Sequence, residues 1–422
     1  MRMKLELHRH KIENIEFGST TTIENRTLFI SKTELVSVIQ KASGLTPDVI
    51  ICRPGDKTRI TNVLDIVEPR IKSDATGNIF PGFLGTSGKA GNGITKVLEG
   101  AAVVEIAALP RVQEGIIDMA GPGAQYSPFS QTHNVALCFA PDSEMETTEI
   151  DQRTRLAGLS AGAYLAQAAL RATPDISETF ELKLDEIRTS PNSELPRIAY
   201  ICLLQSQGFL RDTFVYGKSA GKMPPRLIHP NEIMDGAIVS GSYVIPSNRN
   251  PTYFHLNNPV IHALYQRHPN ELLFCGVVLC NEHSGLEAKE KAVRDTVEIV
   301  KDLGAQGVVI TKEGGGNADA DLMLMCQKCE AQGIRTVVIG NEAAGTDGAD
   351  PSLAHTVKAA DAFVSTGNND ASIKLDAVTK VIGQGPLPGI TGDLKESLIM
   401  PLGRINGATN LLGYNFLSAR TY

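Results

Sequence analysis

Apolar and polar positions follow two different patterns along the chain, and the change falls near residue 197. Residues 1–144 hold short runs of Ile, Val and Leu at 4–8, 12–17, 27–30, 48–53, 59–67 and 94–109, separated by Gly, Asn, Asp and Pro. Such runs predict strands. One helix is predicted at Lys32–Ser43, with Ser31 or Lys32 at its start and Gly44 closing it. Residues 145–172 place Leu156, Leu159, Ala163, Leu165 and Leu170 at near-helical spacing and predict an amphipathic helix ending before Thr173-Pro174-Asp175. Residues 173–196 are polar, with Pro191 and Pro196, and read as a connector.

From 197 onward the apolar runs become continuous: 197–205, 272–281, 307–313, 335–340 and 362–366. Helical stretches at 287–306 and 320–333 lie between several of them. Continuous runs mark strands buried on both faces, as in a parallel sheet covered by helices. The fold class is therefore α/β: a strand-rich N-terminal domain (1–144), an amphipathic helix and connector (145–196), and a layered α/β domain with a mainly parallel sheet (197–422). In such sheets the site lies beyond the strand carboxyl ends. That rule nominates 205–208, 281–283, 312–317, 341–347 and 365–369.

Net charge narrows the function classes. With 40 Lys+Arg against 47 Asp+Glu, the net charge of −7 provides no overall basic field for nucleic acid or anionic lipid. The longest apolar run, Leu272–Cys280, is too short to span a bilayer. The first residues carry charges without an apolar core, which reads against a secretory signal and for a cytoplasmic protein. Seven cysteines, an odd number in a long chain, read as reduced thiols. Cys326 and Cys329 have CxxC spacing but sit late in a predicted helix, whereas a redox pair opens one. No second CxxC completes a zinc site, and no metal is expected.

Several loops hold candidate chemistry. Lys312–Asp321 is rich in Gly, so backbone N–H groups and a following helix start favour an anion, while Asp319 reads either as helix N-cap or as ligand contact. The loop is neither a Walker A motif nor a dinucleotide fingerprint. Glu342 and Asp347 are acid/base candidates if buried, and His283 after the 272–281 run is a candidate base or ligand. Residues 235–244 run into Asn250-Pro251-Thr252-Tyr253, a tight bend. A bend holding Ser or Cys can undergo an N-to-O or N-to-S acyl shift, which cleaves the chain and leaves a pyruvoyl carbonyl.

The strings Arg53-Pro54-Gly55, Val67-Glu68-Pro69-Arg70, Ile79-Phe80-Pro81-Gly82, Gln113-Glu114-Gly115-Ile116-Ile117-Asp118-Met119 and Gly121-Pro122-Gly123-Ala124 stand in order along the chain. Pro128-Phe129-Ser130, Met234–Gly241, Asn250-Pro251-Thr252-Tyr253, Glu313-Gly314, Gly316-Asn317, Asp347-Gly348-Ala349 and Gly407-Ala408-Thr409-Asn410 continue the series. In them the chain resembles the pro-protein subunit of component B of glycine, sarcosine and betaine reductase, and more distantly the D-proline reductase pro-protein. The resemblance implies a hetero-oligomer with a large subunit that bears a Cys or selenocysteine nucleophile. It implies reductive cleavage of a carbon–nitrogen bond in a small molecule, in which the selenolate attacks carbon and is passed on as a carboxymethyl-type adduct. In amine reductases the pro-protein splits at an Asn-Cys step, and the Cys becomes pyruvoyl.

The chain departs from the family at that step. Tyr243 stands at the precursor position, Ser242 lies one residue early, and Ser247 replaces a second Cys. Tyr cannot form pyruvoyl, so an intact chain without that group or any other cofactor is expected. The substrate, with a C–N or C–S bond, is then held by hydrogen bonds and charge. Tyr243, Glu282, Glu313 and Asp347 are the catalytic candidates. Ser242, Gln207, Asn281, Gly316, Asn317, Asp319, Thr409 and Asn410 are the substrate-binding candidates. Two alternatives stand beside this reading: a non-reductive lyase or hydrolase releasing sulfide or amine from a small ring, in which His283, Cys280 or a metal would matter, and a non-catalytic scaffold subunit.

Overall fold

The computed structural model describes residues 2–74, 78–109, 115–142, 144–189, 194–207, 211–241, 245–385 and 387–420. Its architecture is mixed α/β. In the N-terminal part, Arg2–Lys11 is central in a four-stranded sheet, flanked by Ile176–Lys183 and Gly93–Glu99. A second sheet runs Asp48–Cys52, His133–Cys138, Ala101–Ile106, Val63–Val67. The predicted helix α1 (Lys32–Ser43) forms as its ends dictate: the Ser31 side chain accepts from Glu34 N, and Gly44 turns left-handed at φ 73°.

Helix α2 (Thr147–Ala166) departs from expectation in two ways. It ends at Ala166, with a 3-10 turn over Gln167–Ala169, rather than at 172. It is also buried on more than one face, Asp151 and Arg155 included, because it lies against strands of the N-terminal sheets while buried Arg211 and Glu105 complete its charges. The stretch 173–196, read as connector, contains the strand Ile176–Lys183 and the short helix Leu184–Thr189. That strand pairs antiparallel with the first strand of the chain, Leu5 opposite Phe180, so Phe180 and Leu182 are buried despite the polar sequence around them.

The largest sheet has seven strands, numbered here along the chain: β1 (Arg197–Leu204), β2 (Arg226–Ile228), β3 (Leu273–Asn281), β4 (Gly307–Thr311), β5 (Arg335–Glu342), β6 (Phe363–Asn368) and β7 (Ser418–Arg420). Their spatial order is β2-β3-β1-β4-β5-β6-β7. The five central strands are parallel and the two edges antiparallel. Helices α3 (Leu286–Asp302) and α4 (Asn317–Glu330) follow β3 and β4 as crossovers and bury Val293, Val297, Leu322 and Met325. Each fully buried aliphatic side chain of this kind contributes roughly 1.5–3 kcal/mol.

The C-terminal stretch reaches back into the N-terminal half. Lys380–Ile382 pairs parallel with Thr58–Thr61. Buried Arg59 donates to Asp118 at 2.7 Å and to the carbonyl of Leu394 at 2.6 Å. Asp65 accepts from Thr252 N at 2.8 Å and from its hydroxyl at 2.6 Å, fixing the turn that begins Asn250-Pro251-Thr252-Tyr253 against the second sheet. Among the described residues no helix is long and apolar enough to cross a membrane.

Candidate functional site

The carboxyl ends of β4, β5 and β6 open onto a cavity of about 340 Å³. The loop after β4 contributes Lys312, Gly315, Gly316 and Asp319; β5 contributes Asn341 and the following Ala343; Asn369 follows β6. The opposite wall is Ile245, Ser247 and Asn248, the residues directly after 242–244. A larger groove of about 1,040 Å³ runs past Phe180, Tyr265 and Leu273. Leu273 opens its strand, so that groove lies toward the amino end of β3, where the motifs of the sequence do not meet.

Lys312 is buried in the cavity wall. Its Nζ donates to the carbonyl of Gly314 at 2.6 Å and lies 2.6 Å from Asp319 Oδ1. Asp319 Oδ2 accepts from Ala354 N at 3.0 Å. The N-cap of α4 is Gly316 rather than Asp319: its φ of 66° and ψ of −95° suit glycine, and among the described residues no side chain caps the first turn. Asp319 therefore sits within that turn as the partner of Lys312. Two amides close the far side. Asn341 Nδ2 donates to the carbonyl of Ser247 at 2.6 Å, and Thr409 Oγ1 donates to Asn369 Oδ1 at 2.6 Å.

Glu313 points the other way, into a buried polar network. Its Oε2 accepts from Thr213 Oγ1 at 2.7 Å and from Gln205 N at 2.9 Å; its Oε1 lies 3.2 Å from His255 Nε2 and within 3.4 Å of Ser240 Oγ and Asn250 Nδ2. Burial opposes ionisation, but the Arg249 guanidinium, His255 and the Gln205 N–H outweigh it and hold the carboxyl at about 2. A carboxylate with that many donors is a fixed anion that braces Ser240, Asn250 and His255 against the ends of β1 and β4.

Glu282 is its opposite. It is 1% exposed, and among the described residues neither carboxylate oxygen has a hydrogen-bond partner. Burial pushes it well above the usual carboxylate range, Asp321 and Glu313 push it further, and Lys312 and Lys289 oppose. Asn281 Nδ2 donates to Gly221 O at 3.3 Å and to Glu282 O at 2.8 Å. His283 is half-buried, and burial lowers its pKa; its carbonyl accepts from Asn317 Nδ2 at 3.4 Å, which ties the β3 and β4 loops together. Asn317 is itself exposed, and half-buried Gln207 is not part of the cavity wall.

Asp347 lies in an exposed turn, where its Oδ1 accepts from Ala349 N at 3.1 Å, and it does not join the cavity wall. Glu342 is buried and accepts from Ser352 Oγ at 2.7 Å and from Ser365 Oγ. Asn410 Nδ2 donates to Asn250 Oδ1 at 2.9 Å, joining Gly407-Ala408-Thr409-Asn410 to Asn250-Pro251-Thr252-Tyr253. Ser242 and Tyr243 lie outside the described residues, as do Gln113 and Glu114. Next to the latter, a Cβ on Gly115 would stand 2.8 Å from Asn406 Nδ2 and would also collide with Pro246, so three separated motifs meet beside the cavity. Cys326 and Cys329 are buried within α4; burial raises both thiols, Cys329 to about 12. Among the described residues no group of three or more His, Cys, Asp or Glu is arranged to hold a metal.

Sequence reasoning missed Lys312, Asn248, Asn341 and Asn369 in the wall and Arg249 and His255 in the Glu313 network. Lys312, Asn341 and Asn369 fall within the nominated strand ends, so topology carried the signal although residue type did not single them out. Arg249 and His255 flank Asn250-Pro251-Thr252-Tyr253, and the motif itself was the available pointer.

A family model described as glycine/sarcosine/betaine reductase component B subunits matches residues 3–420. The chain is 43% identical to the glycine reductase complex component B subunits alpha and beta of Acetoanaerobium sticklandii, covering all of both chains. It is 39% identical, again over all of both chains, to the sarcosine reductase complex component B subunit alpha of Peptoclostridium acidaminophilum. A more remote match, 21% identical over 79% of this chain and 54% of the other, is the D-proline reductase proprotein PrdA of A. sticklandii. No solved structure matches.

Proposed function

The chain belongs to the family of glycine/sarcosine/betaine reductase component B subunits, and from that premise we propose that it is the substrate-holding subunit of a reductase-type complex. The complex cleaves a C–N or C–S bond in a small molecule, using a thiolate or selenolate supplied by a partner subunit. The cavity wall of Ser247, Asn248, Lys312 and Asn341 carries this reading, because it joins the strand carboxyl ends to the segment that follows the processing position of the family. Lys312 and the uncapped first turn of α4 favour an anionic end of the substrate. Asn248, Asn341 and Asn369 supply amide donors and acceptors for its polar groups.

The same reading holds the chain to be uncleaved. A pyruvoyl group forms from Cys or Ser at one backbone position, and Tyr243 stands there. Beside it a Cβ on Gly241 would lie 2.8 Å from the carbonyl of Leu64 and 2.9 Å from Arg211 Cδ, so no Cys or Ser precursor fits at that neighbouring position either. The residues present do not fit the group, and no step is routed through it. Recognition then rests on charge and hydrogen bonds, and the Tyr243 phenol is the proposed donor to the leaving group.

A tagged copy isolated from its native host tests the proposal. It should bring down a subunit whose cysteine or selenocysteine, once alkylated with iodoacetamide, no longer supports amine or sulfide release from glycine, sarcosine, betaine or a thioether analogue. Full activity of the chain alone, insensitive to iodoacetamide, would overturn it.

A further inference from the structure

The ionisable groups of the cavity wall are matched except at one end. Lys312 is paired with Asp319 beside the first turn of α4. Arg404 is turned to a neighbouring loop: its Nη1 donates to the carbonyl of Pro388 at 3.0 Å, and a Cβ on Gly389 would lie 2.6 Å from its Nη2. Asp370, in the turn after β6, is the remaining charge of the wall among the described residues. It is half-buried; Oδ2 accepts from Gly345 N at 3.0 Å, and Oδ1 has neither a donor nor a cation among the described residues. The turn that carries it is clamped on both flanks. Asp370 N donates to Asn368 Oδ1 at 3.1 Å, and Asn368 Nδ2 donates to the carbonyl of Gly345 at 2.8 Å. On the other flank Gly403 N donates to the carbonyl of Asn369 at 2.9 Å, and Leu402 N to that of Ala371 at 2.8 Å. In the sheet β5 separates this turn from the loop after β4, so the cavity has an open carboxylate at one end and Lys312 with the start of α4 at the other.

A cavity of that polarity fits a zwitterion. A half-buried carboxylate already fixed in place gains most from a ligand N–H that replaces the water on its open oxygen. We propose that Asp370 is the specificity-determining residue for the amine end of the substrate, and that it selects a primary or secondary ammonium, which carries N–H bonds, over a quaternary ammonium or a thioether. The proposal rests on the bond-cleavage reading above and narrows it to C–N substrates. A trimethylammonium brings charge to Asp370 but no donor, and a thioether brings neither. In a chain without a carbonyl to capture the amine as a Schiff base, this contact is what holds the nitrogen. It does not compete with Tyr243. An ammonium nitrogen has no lone pair to accept from a phenol until the C–N electron pair passes to it. Asp370 therefore accepts from the ammonium before cleavage, and Tyr243 donates to the amine that cleavage frees. Asp370 takes up no proton, and no covalent bond to it forms or breaks.

Binding to the full chain tests the assignment without turnover. Glycine, sarcosine, betaine and methylthioacetate share a carboxylate and differ at the other end. Isothermal titration calorimetry should give Kd values at least about 10-fold lower for glycine and sarcosine than for the other two. Asp370→Asn should weaken glycine and sarcosine by roughly 10–100-fold and leave methylthioacetate within about 2-fold, and Asp370→Glu should recover part of the loss. Unchanged methylthioacetate binding also shows that the variant is folded around an intact cavity. Betaine or methylthioacetate binding as tightly as glycine would overturn the assignment and leave the substrate-holding reading in place. Wild-type affinity for glycine in Asp370→Asn would do the same. Equal loss of all four probes in that variant would make Asp370 a structural part of its turn and overturn the assignment too. A wild-type chain that binds none of the four contradicts the substrate-holding reading itself, and the assignment falls with it.

Discussion

Asn341 Nδ2 donates to the carbonyl of Ser247 at 2.6 Å, and so ties the end of β5 to the chain that follows Ser242, Tyr243 and Val244. The same amide lies 3.4 Å from the carbonyl of Thr409, so one side chain holds three distant segments in register. Truncating it leaves a buried carbonyl without its donor. Asn341→Ala should lower unfolding stability by about 1–3 kcal/mol in urea. Asn341→Asp, which turns an acceptor toward both carbonyls, should cost at least as much. A stability loss within measurement error would show that the wall does not depend on this bond.

Glu313 makes acid sensitivity predictable. Its folded-state pKa is held near 2, below an ordinary 4.5, so the folded state binds fewer protons than the unfolded one between those values. Its stabilisation is present above about pH 4.5 and is lost as pH falls toward 2; the shift corresponds to about 3 kcal/mol. Unfolding midpoints measured from pH 7 down to pH 3 should fall less steeply in Glu313→Gln than in the wild type. Parallel curves would contradict the network described for it.

Lys312 and Asp319 form a buried pair, 2.6 Å apart. Removing one partner strands the other charge. Lys312→Met and Asp319→Asn should each cost about 3–5 kcal/mol, and the double variant should cost less than the sum. Chemical denaturation of all four proteins gives the coupling directly; additive losses would mean that the two groups do not share a site.

Gly241 has room for hydrogen only. Gly241→Ala would press a methyl group against the Leu64 carbonyl and Arg211 Cδ, at 2.8 and 2.9 Å. Overpacking of that kind costs about 1–3 kcal/mol. A lowered thermal midpoint is expected, and a gain in stability would show that this turn is looser than the contacts imply.

Much of this was legible in the sequence, for physical reasons that differ by segment. Arg197–Leu204 and Leu273–Asn281 read as buried parallel strands because both faces are apolar, and they are. Ser31 and Gly44 bounded α1 because capping is local chemistry. Ile176–Lys183 escaped because its sequence is mostly polar and its partner, Arg2–Lys11, lies far away in the sequence, at the start of the chain. Polar loops hid a different distinction. Asp347 and Glu282 look alike as loop carboxylates, but one is exposed and the other is buried. A single step in strand alternation separates Lys312, in the cavity wall, from Glu313, in the bracing network. Burial of that kind depends on which elements pack together, and no local pattern encodes it.

The central claim is an intact chain that handles its substrate without a protein-derived carbonyl. Intact-mass spectrometry of freshly purified protein, run with and without a hydrazine label, tests it most directly. One unlabelled species at the full 45.3 kDa is predicted. Two fragments divided near Ser242, the downstream one taking up hydrazine at its amino terminus, would contradict it.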